Sequence, residues 1–468
     1  MDAYGSSASV VASYYRSTDV RARIAEYCGG RWGDVASFSA PEIAGYGGRQ
    51  RLAHADGAPV AAPLAELSRL LDEGADICRS LADRDGTLLH LDIDYANPDD
   101  PAEVYQDPAT VFERLEPVYR TTRAGFLRYG IEPAVVMTGR GYHFMARVRR
   151  GTPFHDALLR IGRLTSGLKR RYDACRDIEA AAILGRAHEA AGRLVEHLAH
   201  EVIWRLRGRT PVPLSLADVA GAEGGPFVCL DLTAYADPLF ERHVRCAFSA
   251  NQKAWMQDRP ARPFVLVLPR RPGSDLQGLL EARRDPALAA ELAAEESVAI
   301  PDAPGAACAW IRHYSRSRLA RHHRDFDEGP RLEREIWPFT YDGLDLSGLP
   351  ACARRPLEAP NPALLRPVCL RTVALVLWGL GWHPRSVAAL VRSRYEKDHD
   401  WGDLWQRYDP ASRADFYVRL FCGAVVDDLD DGSQFSCESQ RRRGACAEPG
   451  CGHDLGREFP AKAACRVS

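Results

Sequence analysis

The sequence predicts an α+β fold, and three observations carry that prediction. Short apolar runs bounded by Gly, Pro, Asn or Asp recur at 88–95, 134–137, 144–148, 227–232 and 264–268 and read as strands. Between them lie segments with apolar residues at helical spacing, and residues 275–325 are helical in composition. From residue 349 the character changes to strongly apolar helices followed by a polar, cysteine-bearing tail.

In chain order, Val10 to Tyr27 reads as a helix, and 63–81 as an amphipathic helix on Leu64, Leu67, Leu70, Leu71 and Ile77. Leu88 to Tyr95 is a buried strand between Asp85-Gly86 and Asn97-Pro98. Asp107-Pro108 opens a helix reaching Tyr129, striped by Val111, Leu115, Val118 and Tyr119. Ala134–Met137 and Phe144–Val148 are strands joined through Thr138-Gly139-Arg140-Gly141-Tyr142-His143, whose two glycines mark a tight turn and a close backbone approach. A helical insert occupies about 155–210, and Phe227–Leu232 and Phe264–Leu268 are further strands. The predicted organisation is one domain over 1–270, a helical connector over 271–348 and a last domain over 349–468.

The charge balance is near neutral, with 61 Lys and Arg against 63 Asp and Glu over 468 residues. No global field announces nucleic acid, so any such surface must be a local basic patch. The densest candidate is Arg147, Arg149, Arg150, Arg160, Arg163, Lys169, Arg170 and Arg171, with a solvated helix face as the alternative. No apolar run approaches the about 20 residues that span a bilayer, and the first residues lack the pattern of a secretory leader. The expectation is a soluble cytoplasmic protein without a membrane partner. Thirteen cysteines are then expected to stay reduced.

Asp92 and Asp94 interrupt the 88–95 strand. Two apart, they leave one face together, and ionised groups on an apolar strand are costly unless neutralised. Hard oxygen donors suit Mg²⁺ or Mn²⁺, and a pair suits two-metal phosphoryl chemistry. The alternative is a strand running out into a solvated acidic loop with Asp99 and Asp100. The turn at Arg140 and His143 offers backbone N–H groups and two cations for a phosphate, or is an ordinary hairpin.

Three segments in order resemble the motifs of the archaeo-eukaryotic primase superfamily: Leu91-Asp92-Ile93-Asp94, Thr138-Gly139-Arg140-Gly141-Tyr142-His143 and Leu230-Asp231. Arg242 to Lys253 is similar to the Arg/Ser/Lys segment that follows the third acid in primase catalytic subunits, although Ala254-Trp255 replaces the usual Thr-Gly. The resemblance covers about residues 85–270. Leu349-Pro350-Ala351-Cys352, followed by Cys437, Cys446 and Cys451, resembles the iron–sulfur domain of the primase large subunit.

The resemblance implies a primase-type catalytic domain with a mixed or antiparallel sheet and inserted helices, followed by a mainly helical, cysteine-ligated domain. It implies a DNA primase or primase-polymerase that copies single-stranded DNA from NTPs or dNTPs. Asp92, Asp94 and Asp231 would hold two Mg²⁺ or Mn²⁺ ions. Arg140, His143, Arg245, Ser249 and Lys253 would bind the nucleotide. Cys352, Cys437, Cys446 and Cys451 would hold a [4Fe–4S] cluster, or Zn²⁺, with His453 and Cys465 as competing ligands. The rival readings are a non-catalytic single-stranded nucleic-acid-binding replication accessory protein, a different nucleotidyltransferase with an Asp-x-Asp pair, against which Leu81 to Thr87 lacks a Gly-Ser turn before the acids, and a structural zinc module on an unrelated front half. No Gly-x4-Gly-Lys-Ser/Thr loop is present, so a helicase activity would come from a partner; a separate polymerase is the other expected partner.

Overall fold

The computed structural model describes residues 3–47, 59–173, 178–217, 224–253, 264–330, 334–359, 366–395, 410–429, 435–442, 446 and 450–457. The chain opens with helices α1 (Ala3–Tyr14) and α2 (Thr18–Tyr27), strands β1 (Ile43–Gly47) and β2 (Val60–Ala62), helix α3 (Leu67–Asp72) and strands β3 (Ala75–Ser80) and β4 (Gly86–Ala96). Next come α4 (Glu103–Gln106), α5 (Pro108–Arg128), the hairpin β5 (Ala134–Met137) and β6 (Gly141–Arg149), and the insert α6 (Pro153–Ile161), α7 (Ser166–Asp173) and α8 (Ile178–Leu206). Strands β7 (Leu214–Ser215), β8 (Phe227–Asp231), β9 (His243–Arg245), β10 (Ala250–Asn251), β11 (Val265–Leu266) and β12 (Leu268–Pro269) complete the front part. Helices α9 (Leu276–Ala282), α10 (Pro286–Glu295), α11 (Cys308–Arg316) and α12 (Arg318–Glu328) lead to α13 (Ala351–Glu358), α14 (Pro367–Gly379), α15 (Pro384–Tyr395), α16 (Pro410–Val426) and α17 (Cys437–Arg442).

The fold is mixed α+β. One sheet runs β12-β5-β6-β4-β8-β7, antiparallel except for the β7–β8 pair. A second, antiparallel sheet runs β2-β1-β3-β9, and β10 pairs with β11. Strand β4 lies inside the larger sheet because its 89, 91, 93 and 95 positions are all apolar and fully buried. Aromatic residues of α5 cover the sheet, with Phe112 edge-on to Tyr142 and Phe126 stacked on Phe144. The opposite face meets α2, where the Tyr27 hydroxyl donates to Met145 Sδ.

Two sequence expectations are corrected. The span from Val10 to Tyr27 is two helices, because Ser17 caps α2 by accepting from the Val20 N–H. The expected helix over 63–81 stops at Asp72, and Gly74 turns the chain at φ +75°. Residues 75–80 then form a strand buried at every position. A strand enclosed on both faces loses its alternation, so its apolar residues fell into the helical spacing of α3.

The C-terminal helices are joined to the insert through buried charges. Arg419 of α16 donates to Glu189 (2.9 Å) and Glu196 (3.5 Å) of α8. Arg193 of α8 bonds Glu189 (2.7 Å) and Asp327 of α12 (2.8 Å). The Tyr314 hydroxyl lies 2.8 Å from His323 Nδ1, and His323 Nε2 lies 3.2 Å from Glu196. Burial lowers the His323 pKa to about 3, so a neutral ring accepts from Tyr314 and donates to Glu196. Among the described residues no helix is long and apolar enough to cross a membrane.

Candidate active site

Strand pairing assembles the acids. Asp92 sits directly opposite His143 on β6 and Asp231 on β8, so three side chains from three strands share one face. Asp94 lies two residues on, opposite Gly141 and Cys229. A Cβ at Gly141 would run into the Ile93 carbonyl oxygen, which is why glycine is needed there. The turn is closed by Thr138, whose hydroxyl accepts from the Gly141 N–H at 3.1 Å and whose N–H donates to the Gly141 carbonyl at 2.8 Å.

Burial governs the electrostatics of these acids. Burial and then the Asp94 charge push Asp92 up to about 6. Burial also raises Asp231, although Asp231 Oδ1 accepts from the Thr233 N–H at 2.7 Å. Burial works against a protonated His143, but the Asp92 carboxylate, 3.4 Å from Nε2, outweighs it and raises the imidazole. His143 Nδ1 is buried without a hydrogen-bond partner. Asp94 is ion-paired with Arg140. No three of these acids lie within 4.8 Å of one another.

Asp92, Asp94 and His143 line a cleft of about 520 Å³ whose other walls carry Arg140, Arg245, Asn251 and Lys253. Burial, then Arg245 and Arg140, lowers the Lys253 pKa, as a cation in a basic corner requires. Arg245 is aimed by a residue the sequence reading passed over. Asp76, fully buried on β3, accepts from Arg245 Nη2 (3.0 Å), the Gln252 N–H (2.9 Å) and Gln252 Nε2 (2.9 Å). The signal was an acid inside the apolar run 75–80, hidden by reading that run as a helix. Arg283 was missed as well. It is buried, lies over the Phe112 ring and donates to the Gly139 carbonyl at 2.8 Å, supporting the turn from below.

Ser249 does not reach the cleft. It is fully buried, its hydroxyl accepting from the Ile77 N–H (2.7 Å) and donating to the Ala250 carbonyl (3.0 Å). Its work is to hold β3 against the β9–β10 loop, which Phe248 turns at φ +63°. Ala254 and Trp255 lie outside the described residues. In the basic segment, Arg147 is engaged by Asp83 and Asp302, Arg149 by Asp302 and Arg171 by Glu241. Arg150, Arg160, Arg163, Lys169 and Arg170 are exposed.

Cys352, Cys437, Cys446 and Cys451 converge at the C-terminal end. Burial and then the sulfurs of Cys437, Cys446 and Cys451 push the Cys352 thiol up to about 12. Cys437 Sγ lies 3.5 Å from both the His453 carbonyl and the Leu455 N–H. No three of these sulfurs lie within 4.8 Å of one another. Cys465 lies outside the described residues.

Compared with known proteins, the chain matches no family model and no curated protein.

Proposed function

We propose that this protein is a template-dependent nucleotidyltransferase, a DNA primase or primase-polymerase that makes short oligonucleotides on single-stranded DNA. The observation that carries the reading is an acidic floor and a basic wall in one cleft: Asp92 and Asp94 line it beside Arg140, Arg245 and Lys253, and Asp231 pairs directly opposite Asp92 on the neighbouring strand. A primase-type catalytic fold belongs to the same proposal, supported by the four motifs in order.

The carboxylates, with Asp92 Oδ1 buried 3.4 Å from His143 Nε2 and Asp231 directly opposite Asp92, fit Mg²⁺ or Mn²⁺. Such ions, held by Asp92, Asp94 and Asp231, would lower the pKa of the attacking 3′-hydroxyl and neutralise the leaving pyrophosphate. Arg245 and Lys253 bind the triphosphate, Arg245 fixed in direction by Asp76. Arg140 moves from Asp94 to a phosphate oxygen. His143, its pKa raised by Asp92, donates a hydrogen bond to the nucleotide. At the other site, Cys352, Cys437, Cys446 and Cys451 would hold a [4Fe–4S] cluster. When bound, it would staple the ends of α13 and α17 and offset the cost of ionising Cys352.

The test is synthesis on single-stranded DNA without primer, with labelled NTPs or dNTPs and Mg²⁺ or Mn²⁺, beside an Asp92→Ala/Asp94→Ala variant. The expected product appears with the wild type and is absent from the variant. Extension only when a primer is supplied would make the protein a polymerase without initiation. No incorporation by folded, metal-replete protein would overturn the catalytic reading and favour the accessory protein that binds single-stranded nucleic acid.

A further inference from the structure

Away from the cleft, the insert and the connector bring together ligands that nucleotide chemistry does not use. His197 and Glu201 are four residues apart on α8 and share a face. His313 comes from α11. One ligand atom from each of the three lies within 4.8 Å of the other two. The rings of His197 and His313 stand edge to face with centroids 5.2 Å apart, and His313 Nδ1 lies 3.6 Å from a Glu201 oxygen. His197 is 5 % exposed and its Nδ1 has no hydrogen-bond partner. A buried ring nitrogen without a partner costs free energy that a ligand would recover.

We propose that His197, Glu201 and His313 form a further metal site, for one Zn²⁺ or a similar first-row divalent ion, that staples α8 to α11. Two imidazoles and a carboxylate on three positions leave room for water and suit Zn²⁺, Co²⁺, Ni²⁺ or Fe²⁺ rather than Mg²⁺. The His313 side chain is 54 % exposed, which gives the ion a way in. Two neighbours hold the ligands in the ion-free chain. Arg128 Nη1 donates to both Glu201 oxygens, at 3.0 and 2.9 Å. A carboxylate has about four lone-pair sites, so Arg128 stays on Glu201 as an outer support while another lone pair turns to the ion. The Tyr129 hydroxyl, 2.7 Å from His313 Nδ1, competes directly with the ion and must release that nitrogen. His200, between the two α8 ligands, is engaged by Asp427 at 2.8 Å and takes no part.

The experiment is a Co²⁺ titration of the full chain carrying Asp92→Ala, Asp94→Ala, Cys352→Ser and Cys451→Ser, so that neither the carboxylate cleft nor the thiol site reports. The wild-type His/Glu set is expected to bind one Co²⁺ with visible ligand-field absorption and no thiolate charge-transfer band, and Zn²⁺ is expected to abolish the signal. His313→Ala, at a half-exposed position that leaves folding intact, weakens binding at least tenfold. Tyr129→Phe tightens it, because the competing hydroxyl is gone. Equal Co²⁺ uptake by wild type and His313→Ala, or no uptake by folded protein, would overturn the site. Neither result bears on the nucleotidyltransferase reading, which rests on other residues.

Discussion

Asp92 holds its charge inside a sheet, next to Asp94 and across from Asp231, with its pKa pushed up to about 6 by burial and by Asp94. Asp92→Asn removes that charge while keeping the shape. The metal-free variant should therefore melt higher than the wild type, by about 1 kcal/mol of stability, while template-dependent incorporation falls at least about a thousandfold. Thermal scans in EDTA beside the synthesis assay check both halves. A variant that lost stability and activity together would assign Asp92 to the framework. Asp76 makes the opposite case. It carries three hydrogen bonds that aim Arg245 and Gln252, so Asp76→Asn should raise the apparent KM for nucleotide far more than it changes metal binding. Isothermal titration with metal and nucleotide separately reads that split.

At the scale of the element, the hairpin β5–β6 depends on Gly141. Gly141→Ala places a methyl group against the Ile93 carbonyl and forces β6 off β4 beside both acids. The expected cost is about 1–3 kcal/mol with loss of activity, measured by denaturant melts. Gly139→Ala meets the end of the Asn251 side chain instead, which has room to shift, and should be milder. Strand β4 was legible in the sequence because turn residues bound it and two acids sit in step on one face. Helix α5 was legible from the Asp107 cap, which accepts from the Thr110 N–H. Strand β3 was not, because full burial erases alternation. Ser249 shows the same limit: a motif position gives a residue type, whereas its direction depends on Ile77 and Ala250, which are distant or silent in sequence. The four C-terminal cysteines were singled out by the resemblance to the primase large subunit, whereas the His197/Glu201/His313 set left no sequence signal, since its halves lie on helices more than a hundred residues apart.

At the scale of the whole molecule, the insert, the connector and the last helices meet in one buried charge network. Burial opposes an ionised Glu196, but the His323 ring and then the Arg419 guanidinium hold its carboxyl far below the usual carboxylate range. A depressed native pKa contributes stability above the unfolded value near about 4 and loses it as pH falls below. The acid limb of the stability curve should therefore be shallower in Glu196→Gln. Arg419→Met, which strips a partner from Glu189 and Glu196, should cost about 3–5 kcal/mol at neutral pH. Urea melts from pH 2 to pH 7 check both.

That network has a consequence for dosage. Where template-binding and chemical parts sit on separate subunits, their pairing follows mass action, and output falls faster than enzyme on dilution. Here Glu189 and Glu196 of α8 accept from Arg419 of α16, and Arg193 of α8 donates to the same Glu189, within one chain. Product formed per molecule should stay constant down to the lowest measurable enzyme level, and a plot of rate against enzyme should be a straight line through the origin. Supplying residues 349–468 as a separate polypeptide should add nothing, because its place on α8 is already taken.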